Sequence, residues 1–235
     1  MNKKIGIIGS GSWGLALSLA ISRSNSEVTI WINSKKKLIE LNKKRLSNYL
    51  PKIKIPEKIK LVNDLNFVTE SDYLFLATPS QKLRENLELI KQKKGISKKF
   101  VICSKGIEKK TNKLMTEVIS EVLPESNSVV LSGPNFAMEV AKNLPTAFVL
   151  SSMDTVNLNS LGKLISSKNF RPYFNNDVVG TQIGGSLKNV IAIACGIVLG
   201  KELGENARAS ILTRGLREIS ALGMKLGAKE ETFRG

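Results

Sequence analysis

One lysine lies at the start of the most apolar stretch of the chain. Lys188 follows Gly184, Gly185 and Ser186, and the uncharged run 189–200 comes directly after it. Because an ammonium group is costly to desolvate, such a lysine either reaches water with its tip or is held inside for chemistry. The sequence contains no histidine, so acid–base chemistry has to use Lys, Asp, Glu, Tyr or Cys. Lys188 is therefore a candidate proton donor.

A glycine-rich segment near the start of the chain has the spacing of a dinucleotide-binding loop. The G-x-G-x-x-G pattern is formed by Gly9, Ser10, Gly11, Ser12, Trp13 and Gly14. It lies between a predicted strand and a predicted helix, as the motif requires: Gly9 permits a tight turn, Gly11 lets a pyrophosphate approach, and Gly14 allows close packing. The helix N-terminus then offers free N–H groups to the anion. The alternative is that the glycines serve packing alone.

The end of the second predicted strand carries the information on cofactor preference. NAD enzymes usually present an acid there for the ribose 2′-hydroxyl, but no acid occurs between Trp31 and Glu40. Asn33 and Ser34 can bond either a hydroxyl or a phosphate, and the lysines at 35–37 suit a 2′-phosphate. The sequence therefore favours NADP with NAD tolerated. Asn-Ser is also a common helix-capping pair, which is the alternative role of these two residues.

Loops that follow three other predicted strands have compositions suited to ligand binding. In an open parallel sheet, ligands lie beyond the carboxyl ends of the strands. Residues 77–80 turn sharply after the third strand, and Lys105 directly follows the fourth, where its alternative role is that of a solvated loop lysine. After the fifth strand, Gly133 allows close backbone approach, and Asn135 either contacts a ligand or caps the next helix.

Apolar segments alternate with helical patterns over most of the chain. Strands are predicted at 4–9, 27–31, 73–78, 100–104, 128–132 and 146–150, and helices at 12–23, 35–46, 81–92, 112–122 and 155–166. Such alternation predicts an α/β fold with a Rossmann-like, doubly wound, mainly parallel sheet covered on both faces. From about 177 the pattern changes to a long helix, predicted to be buried, up to 200 and a second helix at 206–226. We therefore predict a dinucleotide-binding domain at 1–177 and the start of an all-helical substrate domain at 178–235.

The composition excludes several classes of protein. The net charge of +16 comes from lysines in scattered clusters without interleaved aromatic residues, which favours solvated surfaces over a nucleic-acid partner. Two isolated cysteines, Cys103 and Cys195, indicate a reducing cytoplasm. The uncharged run of 12 residues after Lys188 is shorter than the ~20 of a membrane-spanning helix, so no membrane insertion is predicted. No metal site is predicted.

Taken together, the motifs resemble those of the bacterial-type NAD(P)-dependent glycerol-3-phosphate dehydrogenases, and they keep the family's order along the whole chain. The matching segments are GSGSWG, NYLP at 48–51, ATPS, SKGIE, SGPNFAMEVA, DVVGTQIGGSLKNVIAIACG and ENARASILTRGLREI. The resemblance implies hydride transfer from NADPH or NADH to the carbonyl of dihydroxyacetone phosphate. The product would be sn-glycerol 3-phosphate for phospholipid synthesis, and a homodimer is compatible with this assignment.

The resemblance also assigns roles to individual residues. It implies that the acid–base lysine is Lys188, that Lys105 touches both cofactor and substrate, and that Gly133 and Asn135 line the substrate. It places the cofactor against the glycine-rich loop, Asn33, Ser34, Tyr49 and Ala137. The family usually has a basic residue where Asn33 or Ser34 stands. The glycines before Lys188 would give cofactor and substrate room to approach.

One departure from the family pattern lies at the C-terminus. Family members continue beyond the residues that match 232–235, through a Gly-Leu-Gly-Asp stretch and a Ser-Arg-Asn stretch. The resemblance implies that these supply an aspartate beside the catalytic lysine and an arginine for the substrate phosphate, and it predicts a chain truncated at this end. The alternatives are a related small-carbonyl or imine reductase, a non-catalytic dinucleotide-binding module, and a basic nucleic-acid-binding protein.

Overall fold

A computed structural model describes residues 3–24, 26–93, 95 and 99–234 of the chain. The strands are β1 Lys4–Ile8, β2 Glu27–Trp31, β3 Leu46–Ser47, β4 Leu50–Lys54, β5 Lys60–Val62, β6 Tyr73–Leu76, β7 Lys99–Ile102, β8 Asn127–Ser132, β9 Thr146–Ser151 and β10 Phe170–Asn175. The α-helices are α1 Ser12–Ile21, α2 Lys35–Lys44, α3 Asn66–Thr69, α4 Leu83–Lys91, α5 Met115–Val122, α6 Ala137–Ala141, α7 Thr155–Ile165, α8 Val178–Gly200 and α9 Gly204–Lys225. Short 3₁₀ turns lie at Ser80–Lys82 and Glu230–Phe233.

Eight of the strands form one sheet in the order β10-β9-β8-β7-β6-β1-β2-β5. Every neighbouring pair is parallel except β8 and β9, which pair antiparallel through Leu131 and Leu150. The chain runs outward from β1 in both directions, with helices as crossovers, which is the doubly wound order. The predicted α/β class with a mainly parallel sheet is confirmed.

The strands are apolar on both sides because helices cover both faces of the sheet. Ile7 belongs to the core cluster that α1 and α7 cover, whereas its neighbour Ile8 belongs to the cluster beneath α4 and α5. Successive side chains of a strand point to opposite faces, so a strand buried on both faces has to be apolar throughout. All of β6 is buried in this way.

Several of the more polar strands and helices were not predicted from the sequence. The small antiparallel pair of β3 and β4, the edge strands β5 and β10, and the short helix α3 were not marked by the apolar pattern, whereas the helix expected after Asn135 is α6. In β10 only Phe170 is buried, and Pro172 lies within the strand, paired with Phe148 of β9. An edge strand of this kind has one unpaired side facing solvent, so it needs no apolar run.

The prediction that the first long helix is buried throughout is wrong. Ile183 near its start is fully buried, but Val190, Ile193 and Ile197 expose 60%, 66% and 54% of their surface. Near the start of α8, Gly185 lies close to Ser132 of β8 and Gly180 lies close to Thr232 of the last 3₁₀ turn, whereas further along Ile191 packs on Gly215 of α9. By length and composition alone, α8 could cross a membrane, and 17% of its most apolar window is buried inside the described structure; one helix of this kind is weak evidence of a membrane span. Core helices of soluble proteins also meet this criterion.

Candidate functional site

The loops that leave β1, β2, β6, β7 and β8 meet at one edge of the sheet, because these five strands are parallel. The glycine-rich loop leaves β1 at the centre of the sheet. The segment after β6, the Lys105 loop after β7 and the Gly133 loop after β8 follow on one side. The predicted crevice at the carboxyl ends of the strands therefore contains most of the candidate residues.

The glycine-rich loop has the geometry that its motif predicts. Gly9 has a φ of 116°, a left-handed value that favours glycine. A Cβ atom on Gly14 would lie 1.9 Å from the carbonyl oxygen of Gly9, so only glycine allows α1 to pack this closely on the loop. In contrast, a Cβ on Gly11 would meet no described atom within 4 Å, and no described side chain caps α1. Open space at a free helix N-terminus suits a phosphate group.

A cavity of about 450 Å³ lies in front of this loop. Its walls contain Gly11, Ser12, Trp13, Ala77, Thr78, Pro79, Ser80, Cys103, Ser104, Lys105, Asn135, Phe136 and Ala137. Three buried polar atoms of its lining residues, Trp13 Nε1, Thr78 Oγ1 and Asn135 Oδ1, find no hydrogen-bond partner among the described residues. Buried polar groups are normally paired, so a polar ligand suits this cavity. The residues present therefore fit a bound dinucleotide.

Asn135 does not cap the helix that follows it. The N-cap residue of α6 is Phe136, and no side-chain capping bond forms there. Instead, Asn135 Nδ2 donates a hydrogen bond of 2.8 Å to the carbonyl oxygen of Ala147 in β9. This bond fixes the amide at the cavity with its oxygen unpaired. The ligand-contact role of Asn135 is thus the one that the geometry favours.

Asn33, Ser34 and Tyr49 are not among the residues that line this cavity. Ser34 caps α2, because its Oγ accepts a hydrogen bond of 3.3 Å from the backbone N–H of Lys37. Asn33 is exposed, and its carbonyl oxygen accepts a bond from Asn63 Nδ2. Tyr49, in the turn between β3 and β4, is 57% exposed. The capping role proposed as an alternative for Ser34 is therefore present.

The two candidate lysines converge on a single backbone oxygen. Lys105 Nζ donates to the carbonyl oxygen of Gly133 at 3.1 Å, and Lys188 Nζ donates to the same oxygen at 2.7 Å. Burial, and next the positive charge of Lys188, lowers the pKa of Lys105 to about 8. Lys105 can therefore gain and lose a proton near neutral pH, as acid–base chemistry requires.

A second cavity, of about 540 Å³, lies between the sheet, the first turns of α8 and the segment around the last 3₁₀ turn. It is lined by Ser132, Gly133, Pro134, Val149, Asn175, Asn176, Gly180, Thr181, Gly184, Gly185, Lys188, Lys229, Glu231 and Thr232. Thr181 Oγ1 is buried there without a partner among the described residues. A Cβ on Gly185 would lie 2.5 Å from Ser132 Oγ. Gly185 therefore serves close packing of α8 on β8, and both Gly184 and Gly185 also line the cavity.

The loop that carries Lys105 is anchored by a partly buried ion pair. Arg84 on α4 makes two hydrogen bonds of 2.9 Å to the carboxylate of Glu108, which is 8% exposed. Thr111 Oγ1 donates to the same carboxylate. Chiefly because of Arg84, the pKa of Glu108 falls to about 2. This anchor fixes the loop end three residues beyond Lys105.

Sequence reasoning missed three polar residues at the site. Thr78 and Thr181 lie in the matching segments ATPS and DVVGTQIGGSLKNVIAIACG but were assigned no role of their own, because their importance depends on burial without a partner among the described residues. Lys37 was considered only as one of three lysines, but its Nζ donates to Ser10 O at 2.7 Å and to Ser10 Oγ at 2.9 Å. Its position three residues after the N-cap of α2 was the available signal, because that turn faces the end of β2.

A glycine-rich loop at the carboxyl edge of a doubly wound sheet, followed by a helical unit with a lysine at the crevice, defines an NAD(P)-dependent oxidoreductase of the Rossmann class. The comparisons with known proteins agree. The N-terminal domain of NAD-dependent glycerol-3-phosphate dehydrogenase matches residues 4–157, and the C-terminal domain matches 177–235. The chain belongs to the NAD-dependent glycerol-3-phosphate dehydrogenase family.

Individual relatives are similar over the whole of this chain. Glycerol-3-phosphate dehydrogenase [NAD(P)+] of Parvibaculum lavamentivorans is 40% identical over 99% of the chain, which spans 70% of that protein. The enzyme of Paramagnetospirillum magneticum is 41% identical over 99% of the chain, which spans 85% of it. The crystal structure of the Coxiella burnetii glycerol-3-phosphate dehydrogenase has a TM-score of 0.93 at 35% identity, covering 100% of this chain and 72% of that one.

These similarities confirm several predictions from the sequence. The predicted family, the enzyme class of NAD(P)-dependent glycerol-3-phosphate dehydrogenase and the cofactor, NADP or NAD, are all confirmed. The Rossmann-like sheet followed by helices is confirmed as well. The roles of individual residues and the domain boundary near 177 remain predictions.

Proposed function

We propose that the chain reduces dihydroxyacetone phosphate to sn-glycerol 3-phosphate, the precursor for glycerophospholipid synthesis. The observation that carries this proposal is the convergence of Lys105 and Lys188 on the Gly133 carbonyl oxygen. Lys105 lines the first cavity and Lys188 lines the second. A carbonyl substrate beside a nicotinamide would therefore have two cations within reach of its oxygen.

The reaction needs a hydride donor, a proton donor and charge to stabilise the alkoxide that develops. A bound NADPH or NADH would supply the hydride, with its two electrons, that the ketone carbon needs. Lys188 Nζ delivers the proton to the carbonyl oxygen, so that the ketone becomes a secondary alcohol. Lys105 orients the substrate and polarises the same oxygen, and the shared Gly133 carbonyl holds both ammonium groups in place.

The proposed contacts with the substrate are Lys105, Gly133 and Asn135. The proposed contacts with the cofactor are Gly9, Ser10, Gly11, Ser12, Trp13, Gly14, Asn33, Ser34, Tyr49, Lys105 and Ala137. The first cavity supports those residues of the set that line it, and the open space at Gly11 supports a phosphate there. Asn33 and Ser34 rest on their position after the second strand and on the resemblance, and Tyr49 rests on the resemblance alone.

We assign the dinucleotide to a domain at 1–177 and the substrate to a helical unit at 178–235. The last strand ends at Asn175, and Asp177 caps α8 by accepting a hydrogen bond from the backbone N–H of Gly180 at 2.8 Å. A cytoplasmic protein that is not inserted in a membrane fits the position of α8. Its Gln182 and Lys188 bond Thr116 and Gly133 of the first domain, and insertion of α8 in a bilayer would break these contacts.

Oxidation of NADPH, followed at 340 nm in the presence of dihydroxyacetone phosphate, tests the proposal. Lys188→Ala should abolish turnover and leave NADPH binding nearly unchanged, because Lys188 lies outside the cofactor cavity. The matched control is Lys201→Ala, which removes an exposed lysine at the end of the same helix and should leave turnover unchanged. Retained turnover in Lys188→Ala, or no phosphate-dependent turnover by the unaltered chain, would contradict the proposal.

A further inference from the structure

Lys37 differs from the other lysines at the start of α2 in being half-buried, whereas Lys35 and Lys36 are exposed. It reaches back across the carboxyl edge of the sheet to the glycine-rich loop. There its ammonium donates to the carbonyl oxygen of Ser10 at 2.7 Å and to Ser10 Oγ at 2.9 Å. Burial lowers the pKa of Lys37.

Tyr49 holds the Lys37 side chain from the other side. The Lys37 Nζ lies 4.5 Å from the centroid of the Tyr49 ring, within the range of a cation–π interaction. The ammonium is therefore fixed between the second residue of the glycine-rich loop and an aromatic ring. Because a lysine side chain loses considerable rotamer freedom when it is held in one place, two hydrogen bonds and a ring contact indicate a defined position.

The position of this ammonium corresponds to a specific part of a dinucleotide. The ribose of the adenosine half lies between the glycine-rich loop and the end of the second strand, where an NAD enzyme uses an acid. The described residues from 32 to 39 contain no acid in this chain. A phosphate monoester at the 2′ position carries about −1.5 to −2 charges at pH 7 and would find a cation there.

We propose that Lys37 is the residue that selects NADP over NAD, by pairing with the 2′-phosphate. The inference rests on the proposed placement of the cofactor along the glycine-rich loop. Tyr49 restrains the ammonium, and the hydroxyl of Ser34, the N-cap residue of α2, would add a second donor for the same phosphate. Asn33, which is exposed, is not required.

Binding of 2′,5′-ADP and 5′-AMP to the full chain, measured by calorimetry at low salt, tests this selection. The unaltered chain should bind 2′,5′-ADP at least tenfold more tightly than 5′-AMP. A charge-assisted hydrogen bond is worth about 10-fold to 100-fold in affinity. Lys37→Ala should therefore lower the affinity for 2′,5′-ADP by that factor and change the affinity for 5′-AMP by less than threefold. Lys43→Ala, which removes an exposed lysine from the same helix, is the matched control and should change neither.

Two results would overturn the inference. If Lys37→Ala lowers the affinity for both nucleotides equally, Lys37 supports the loop and does not recognise the 2′-phosphate. If the unaltered chain binds both nucleotides equally, no selection exists. Neither ligand carries a nicotinamide or requires the substrate, so a failure of the proposed reaction leaves this test interpretable. Melting curves followed by circular dichroism verify that each variant is folded.

Discussion

Two glycines of the phosphate loop should respond in opposite ways to the same methyl group. In Gly14→Ala, the new Cβ would lie 1.9 Å from the Gly9 carbonyl oxygen. Contacts between carbon and oxygen are normally at least about 3.3 Å, so α1 would have to move by more than about 1 Å. In Gly11→Ala, the Cβ meets no described atom within 4 Å, and the φ of −76° suits alanine.

The free-energy costs of the two substitutions follow from these distances. Overpacking of a core typically costs about 1–3 kcal/mol, and a contact between backbone atoms cannot relax by a rotamer change. We therefore expect Gly14→Ala to lower the free energy of unfolding by about 3 kcal/mol, or the melting temperature by about 6–12 °C. Gly11→Ala should stay within about 0.5 kcal/mol of the unaltered chain. Its methyl group fills the space proposed for the pyrophosphate, so NADPH affinity should fall on the order of tenfold or more.

Circular dichroism melts and NADPH titration followed by tryptophan fluorescence measure these two quantities separately. The expected pattern is a destabilised Gly14→Ala chain and a stable Gly11→Ala chain with weak binding. Unimpaired NADPH binding by Gly11→Ala would refute the assignment of the phosphate to this loop. An unchanged melting temperature in Gly14→Ala would refute the packing argument.

Three further predictions concern the neighbouring side chains. Lys188→Met removes a nearby cation and should raise the pKa of Lys105 above about 8, but not to 10.5, because burial remains. The pKa of Lys105 can be measured by pH-dependent amine labelling with detection by mass spectrometry. A pKa that is the same with and without the substitution would contradict the reasoning. Glu108→Gln breaks the Arg84 pair and should cost about 2 kcal/mol at pH 7. Because the folded pKa of Glu108 is lowered to about 2 from 4.5, urea unfolding should show this difference shrinking as pH falls through that window, and a constant difference would speak against it. Thr181→Val removes an unpaired buried hydroxyl and should stabilise the chain by about 1 kcal/mol, whereas a lower melting temperature would show that the hydroxyl is satisfied.

The buried strands were predictable because they consist largely of consecutive apolar residues. β2 begins and ends at the predicted residues, and β6 and β7 differ by one or two at their ends. β10 was missed because Arg171 and Pro172 break the apolar run, and its hydrogen bonds to β9 form with a distant segment. For α8, a uniformly apolar composition does not tell which sides of the helix a neighbour covers.

The candidate site was predictable wherever a backbone motif fixes the position of a residue. Lys105, Gly133 and Asn135 follow strand ends, and parallel strands bring such ends together. The contact between Lys188 and Gly133 spans 55 residues and depends on how α8 packs on the sheet. The link between Lys37 and Ser10 depends on a side-chain conformation, which local sequence does not specify.

The shared carbonyl at Gly133 couples ligand binding to proton uptake. Two ammonium groups contact one neutral oxygen, so a ligand with two negative charges entering beside them would stabilise their charged forms. The pKa of Lys105 would then rise from about 8, and above that pH each bound dianion would draw a proton from solution. The apparent affinity would fall with increasing pH, up to about tenfold per pH unit. The calorimetric heat of binding would change with the ionisation enthalpy of the buffer.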